Sequence, residues 1–162
     1  MISGALLYFY PQVLNGVGIP IDGLATQTFA ASALGVLLLV KIAFSILSFA
    51  SGAPGGLLMP MLTIGGITGA LAGNIAVRFS MADPSQMGVF LVLSMTGLFS
   101  ATVRAPLTGT LLVIEMCGAY HCLPAAVVVA YVATITANVL GSSPVYDSLK
   151  ERMLANREKP AA

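Results

Sequence analysis

Two segments of this 162-residue chain combine glycine, proline and apolar residues in a pattern that could bind an ion through the peptide backbone. Residues 51–60 read SGAPGGLLMP, and residues 104–109 read RAPLTG. Glycine and proline interrupt helices, so each segment predicts a helix that stops and restarts within apolar sequence. The first N–H groups of a helix have no partner inside the helix and carry the positive end of its dipole. Such a helix start is suited to an anion.

The composition indicates that lipid surrounds most of the chain. Hydrophobic residues make up 57% of the sequence and charged residues 8%, whereas a soluble domain is about a quarter charged. The formal net charge is +1, and the basic residues form no stripe, which excludes nucleic acid as a partner. No pairing of a nucleophile with a base is visible, so an enzyme is not expected.

Metal and cofactor chemistry are not expected either. Cys117 and Cys122 have only His121 between them as a further candidate ligand, which falls short of the four ligands of a structural zinc site. We therefore interpret the two cysteines as small apolar packing residues.

The apolar stretches predict an all-α, polytopic membrane protein with broken and re-entrant helices. After a first apolar stretch, a cluster of breakers at residues 10–20 predicts a loop. The helices then predicted are 28–51, 61–79, 86–103, 123–140 and the amphipathic 145–157. Several are too short to cross a bilayer unaided, and interrupted helices of this kind point to a transporter site.

Four glycines of the 61–79 helix have the spacing of a helix packing face. They are Gly65, Gly66, Gly69 and Gly73. Small residues at this spacing permit close contact between membrane helices, so packing is a sufficient explanation for them.

Three sequence blocks resemble the C-terminal half of the CLC family of chloride channels and chloride/proton antiporters. Residues 51–60 resemble the family's G-x-F-x-P helix start, residues 104–116 resemble a second family block, and residues 141–146 resemble the lead-in to its pore tyrosine. The blocks occur in family order and cover nearly the whole chain.

The resemblance implies an anion site made of neutral donors. In the family, backbone amides at the G-x-F-x-P helix start and the tyrosine hydroxyl coordinate the central chloride. By position this implies the amides of Leu57 and Leu58, with Gly56 allowing close approach, and the hydroxyl of Tyr146. Neutral donors bind a dehydrated anion without trapping it. Leu58 stands where the family usually has phenylalanine, which leaves a main-chain donor in place.

The resemblance also implies an architecture and partners. The family fold is two inverted repeats in one membrane domain, usually paired as a homodimer with a separate pore in each subunit. This chain resembles the second repeat plus the terminal helix, over residues 1–158, followed by a polar tail at 159–162. The expected partners are the lipid bilayer of a plasma or inner membrane, chloride as the substrate, and the missing first half that carries the gating glutamate. Residues 16–20, GVGIP, match the loop that opens the second half and are left out of the site.

Three questions about function stay open from the sequence. The chain is either part of an anion transporter completed by a first half, or a non-transporting membrane scaffold or truncated remnant. Passive channel and proton-coupled exchanger are not distinguished. Glu115 is an acid inside a hydrophobic block; we favour a polar contact that stabilises the fold over a proton carrier.

Overall fold

The structure is a computed structural model that describes residues 31–50 and 58–146. The helices are α1 Ala31–Ala50, α2 Leu58–Arg78, α3 Met87–Val103, α4 Pro106–Cys117 and α5 Leu123–Val139. Single 3-10 turns, Pro84–Gln86 and Tyr120–Cys122, lead into α3 and α5. The described ranges contain no strand, and the all-α prediction is confirmed.

The helix bounds follow the predicted ones closely. Helix α2 begins three residues before the predicted start, and α3 and α5 match their predictions within one residue at each end. Among the residues that the structure describes, three helical segments are long and apolar enough to span a membrane: Leu58–Arg78, Pro84–Val103 and Tyr120–Val139. Beyond Tyr146, the predicted terminal helix lies outside the described residues.

Helix α3 lies at the centre of the described fold. It packs against α2, α4 and α5, whereas α1 packs only against α2. Apolar residues therefore surround α3, and Leu91, Val92 and Phe99 are all buried. The outer face of α5 is apolar and exposed, which suits contact with lipid.

Glycine lets α2 approach the backbone of α3. A Cβ atom on Gly65 would lie 2.7 Å from the Cα of Met95, and one on Gly69 would lie 2.5 Å from the carbonyl oxygen of Phe90. These distances are too short for any side chain. The predicted packing face therefore exists, and its partner is α3.

A two-residue break separates α3 from α4. Arg104 has φ 64° and ψ 29°, and its N–H donates to the carbonyl of Ser100 at 2.9 Å, which ends α3. Pro106 then opens α4, at a position where its missing N–H is not needed. The interruption predicted over residues 104–109 is thus shorter, because 106–109 form the first turn of α4.

We expect Gly69→Ala to destabilise the protein by about 1 to 3 kcal/mol, the usual effect of overpacking. The added Cβ would meet the backbone of Phe90 and Leu91, which can move only if the helix moves. Thermal unfolding of the purified chain in detergent measures the change. The matched control is Gly88→Ala, since a Cβ on Gly88 in α3 meets no atom within 4 Å. Equal melting temperatures of the two variants would contradict the close approach.

Candidate functional site

The start of α2 presents main-chain donors within apolar surroundings. Leu58 is half-buried and packs against the core, and Met59 is 45% exposed. Pro60 has no N–H, so Leu58, Met59 and Met61 carry the described donors of this turn. The first turn holds no acidic side chain. The positive end of the α2 dipole is therefore not neutralised by a carboxylate of its own first turn.

Two of the four predicted site residues cannot be placed. Gly56 and Leu57 lie outside the described residues. Leu58 and Tyr146 are described, so half of the predicted set has a position in the fold.

Tyr146 lies at the far end of the described chain. It follows a short non-helical connection after α5, and it is the second residue of a helical stretch that begins at Val145. Its side chain is 58% exposed. The hydroxyl forms no hydrogen bond with the other described residues, so within that part of the chain it is available to a ligand.

Helix α3 lies between α2, which begins at Leu58, and α5, after which the chain continues to Tyr146. Helices α2 and α5 make no contact with each other. Met95 of α3 faces the glycines of α2, whereas Gly97 of α3 lies against α5, since a Cβ atom added to Gly97 would lie 3.1 Å from Cγ1 of Val129. Leu58 thus begins a helix on one face of α3, whereas Tyr146 follows, in sequence, a helix on another face of it.

A polar cluster at the end of α3 was not singled out by the sequence. Arg104 donates through Nη1 to the carbonyl of Thr134 at 2.8 Å and through Nη2 to the carbonyl of Ser142 at 2.6 Å. Thr134 in turn donates its hydroxyl to the carbonyls of Ser100, at 3.2 Å, and Ala130, at 2.8 Å. One feature of the sequence could have indicated this cluster: Arg104 is the only charged residue between Asp83 and Glu115.

Ser100 lies at the bottom of this cluster, where α3 and α4 meet. It is fully buried, and its Oγ has no hydrogen-bond partner among the described residues. A Cβ on Gly109 would lie 2.6 Å from that Oγ. Glycine at 109 therefore allows α4 to pack directly over the serine.

The remaining polar candidates have mixed outcomes. Lys41 is buried on α1 at 6% exposure. Glu115 is exposed and forms no hydrogen bond or ion pair with any residue that the structure describes, so the polar contact predicted for it is not found there. His121 is exposed in the turn before α5, and Cys122 is buried as a free thiol.

Metal ligation has no support from the described ranges. They contain no group of three or more His, Cys, Asp or Glu residues that could hold a metal ion. The polar groups described at the start of α2, at Tyr146 and at the end of α3 are therefore main-chain donors, hydroxyl donors and the guanidinium of Arg104.

A family model described as voltage gated chloride channel matches residues 1–138. This chain belongs to the voltage gated chloride channel family. The resemblance derived from the three sequence blocks is confirmed, and the chain is an integral membrane protein.

Members of the family from several bacteria are similar over nearly the whole chain. The H(+)/Cl(-) exchange transporter ClcA of Vibrio cholerae serotype O1 is 40% identical over 163 residues, which cover 98% of this chain and 34% of that protein. ClcA of Vibrio parahaemolyticus is 37% identical over 155 residues, covering 96% and 33%. This chain spans about a third of the length of the curated relatives it matches.

A solved structure supports the same fold. A crystal structure of a slow cyanobacterial Cl-/H+ antiporter is 32% identical to this chain, with a TM-score of 0.75 over 90% of this chain and 33% of that one. The arrangement of broken helices is therefore the one that this part of a family member adopts.

We expect Ser100→Ala not to lower the free energy of unfolding, because the Oγ that it removes is buried without a partner among the described residues. Thr134→Val, the matched variant, removes a hydroxyl that donates to Ser100 and Ala130 and should cost about 0.5 to 1.5 kcal/mol. Thermal unfolding of both variants in detergent measures the difference. A larger loss for Ser100→Ala than for Thr134→Val would show that the Ser100 hydroxyl has an important partner.

Proposed function

We propose that this chain forms the second-repeat part of a chloride transporter and supplies part of its anion site. The observation that carries the proposal is the similarity, over 96 to 98% of the chain, to proteins named as H(+)/Cl(-) exchange transporters. The membrane-length apolar helices agree with that role. The proposal requires three partners: a lipid bilayer, chloride, and a polypeptide segment that corresponds to the part of the relatives which this chain does not cover.

The proposed anion ligands are the amides of Leu57 and Leu58, beside Gly56, and the hydroxyl of Tyr146. Two features of the described residues support them. The first turn of α2 has no acidic side chain that would repel an anion, and the Tyr146 hydroxyl has no hydrogen-bond partner among the described residues. A dehydrated anion is stabilised by neutral dipoles of this kind and can still leave the site.

The site proposed here is incomplete on this part of the chain alone. Helix α3 lies between α2, which begins at Leu58, and α5, which precedes Tyr146, and a dehydrated anion is costly to bury unless donors surround it. We propose that the remaining donors come from a first repeat, and that two copies of the completed domain form a dimer.

We expect chloride efflux from proteoliposomes only when this chain is reconstituted with a polypeptide that carries the family's first half. The chain alone, and the first half alone, should leak chloride at the rate of empty liposomes, because neither has all the donors. A chloride electrode measures the efflux. Rapid efflux from this chain alone would contradict the need for a first half. No efflux from a folded complex of the two halves would favour the non-transporting scaffold.

We expect Tyr146→Phe to weaken chloride binding by the assembled protein roughly threefold to tenfold, because one neutral hydrogen bond contributes about 0.5 to 1.5 kcal/mol. Titration calorimetry measures the affinity. The control is Leu58→Phe, which installs the family's usual residue and keeps the N–H, and it should bind chloride nearly as the parent does. Unchanged affinity in Tyr146→Phe would exclude the hydroxyl as a ligand.

A further inference from the structure

Arg104 lies where two helices end. It is the residue that ends α3, in a left-handed conformation that residues other than glycine seldom adopt. Its guanidinium reaches the last two turns of α5 at Thr134 and the connection beyond α5 at Ser142. A cation at this place is favoured, because helix C-termini carry negative partial charge.

The two guanidinium bonds join segments that are distant in sequence. They link residue 104 to carbonyls 30 and 38 positions further along the chain. Ser142 lies beyond the end of α5, so its carbonyl takes no part in the hydrogen bonds of that helix. Arginine can serve both carbonyls at once because its donors lie in a rigid planar fork.

The guanidinium of Arg104 binds backbone carbonyls and not a carboxylate among the described residues. Within the described ranges it forms no ion pair, and its only side-chain bonds are those to the two carbonyls. Its Nε is buried without a partner there. The described geometry thus assigns this guanidinium the task of holding the chain after α5 against the end of α3.

The segment that Arg104 holds leads directly to Tyr146. Only three residues separate Ser142 from Tyr146, and one of them is Pro144, whose ring fixes φ. The N–H groups of Gly141 and Ser142 donate to the carbonyls of Asn138 and Ala137, at 3.0 and 3.3 Å, so the start of the segment is closed into a turn. A displacement of Ser142 is therefore expected to displace Tyr146 as well, because the connection between them is short and partly rigid.

We infer that Arg104 is a positioning residue for Tyr146, which fastens residues 141–144 to the end of α3 and so sets where the tyrosine hydroxyl lies. The inference rests on the proposed function only for the role of Tyr146 as an anion ligand. The fastening itself follows from the contacts of Arg104 and can be tested without any anion.

The first experiment measures hydrogen exchange by mass spectrometry on the full chain in lipid nanodiscs. Arg104→Lys keeps the positive charge but loses the planar, forked set of donors, and Arg104→Gln loses both the charge and the forked donors. We expect the amides of Gly141 and Ser142 to exchange roughly tenfold to a hundredfold faster in Arg104→Gln, and by a smaller factor in Arg104→Lys, since a charge-assisted hydrogen bond holds their turn. Amides of α2 should exchange as in the parent.

Arg78→Lys is the matched control. Arg78 is exposed at the end of α2 and has no hydrogen bond to another described side chain or carbonyl through its guanidinium, so this variant should leave residues 141–146 unchanged. Unaltered exchange at Gly141 and Ser142 in both Arg104 variants would overturn the fastening. Faster exchange in every helix would also overturn it, because Arg104 would then support the whole fold and not one segment.

The second experiment is a double-mutant cycle on chloride affinity in the assembled protein. If Arg104 acts through Tyr146, Arg104→Lys weakens binding in the parent but adds no further loss in the Tyr146→Phe background. Additive losses would overturn positioning through the tyrosine. Unchanged affinity in Tyr146→Phe alone would refute the proposed ligand, and the exchange result would still decide whether Arg104 fastens the segment.

Discussion

The close approach of α2 to α3 is the constraint on which the rest of the described fold depends. Lipid tails are as apolar as the helix surfaces, so burial of apolar area adds little between membrane helices, and tight contact must supply the attraction. Gly65 and Gly69 provide it by letting the backbone of α2 touch the backbone of α3 near Met95 and Phe90. With α3 held on this side, its other faces receive α4 and α5.

The C-terminal end of α3 is stabilised differently, because backbone carbonyls and a cation lie there within an apolar protein. Polar groups without partners are costly there. Arg104 and Thr134 direct their donors to carbonyls of Ser100, Thr134, Ala130 and Ser142, so most of the polar groups at this junction satisfy one another. Gly109 then lets α4 cover the buried Ser100. Packing and hydrogen bonding thus meet at the end of the helix that lies between α2 and α5.

This arrangement connects the fold to the proposed function. The middle of α2 is held by its glycine contacts with α3, which fixes the direction of the helix toward Leu58, and the chain before Tyr146 is held by Arg104 at the end of α3. Under the proposed function, both sets of anion donors therefore take their position from a single buried helix. A rigid support of this kind suits an ion site, because small displacements of a donor strongly change its interaction with a charge.

The sequence by itself determined the membrane class, the bounds of α2, α3 and α5 to within a few residues, and the glycine face of α2. Those features are local, since apolar length, breakers and residue spacing act within one helix. The partner of the glycine face and the hydrogen bonds of Arg104 were decided by the tertiary structure. The sequence offered only a resemblance for Leu58 and Tyr146 and an unsupported contact for Glu115. A guanidinium finds carbonyls 30 and 38 residues away only after α3 and α5 pack side by side, and no local pattern encodes that packing.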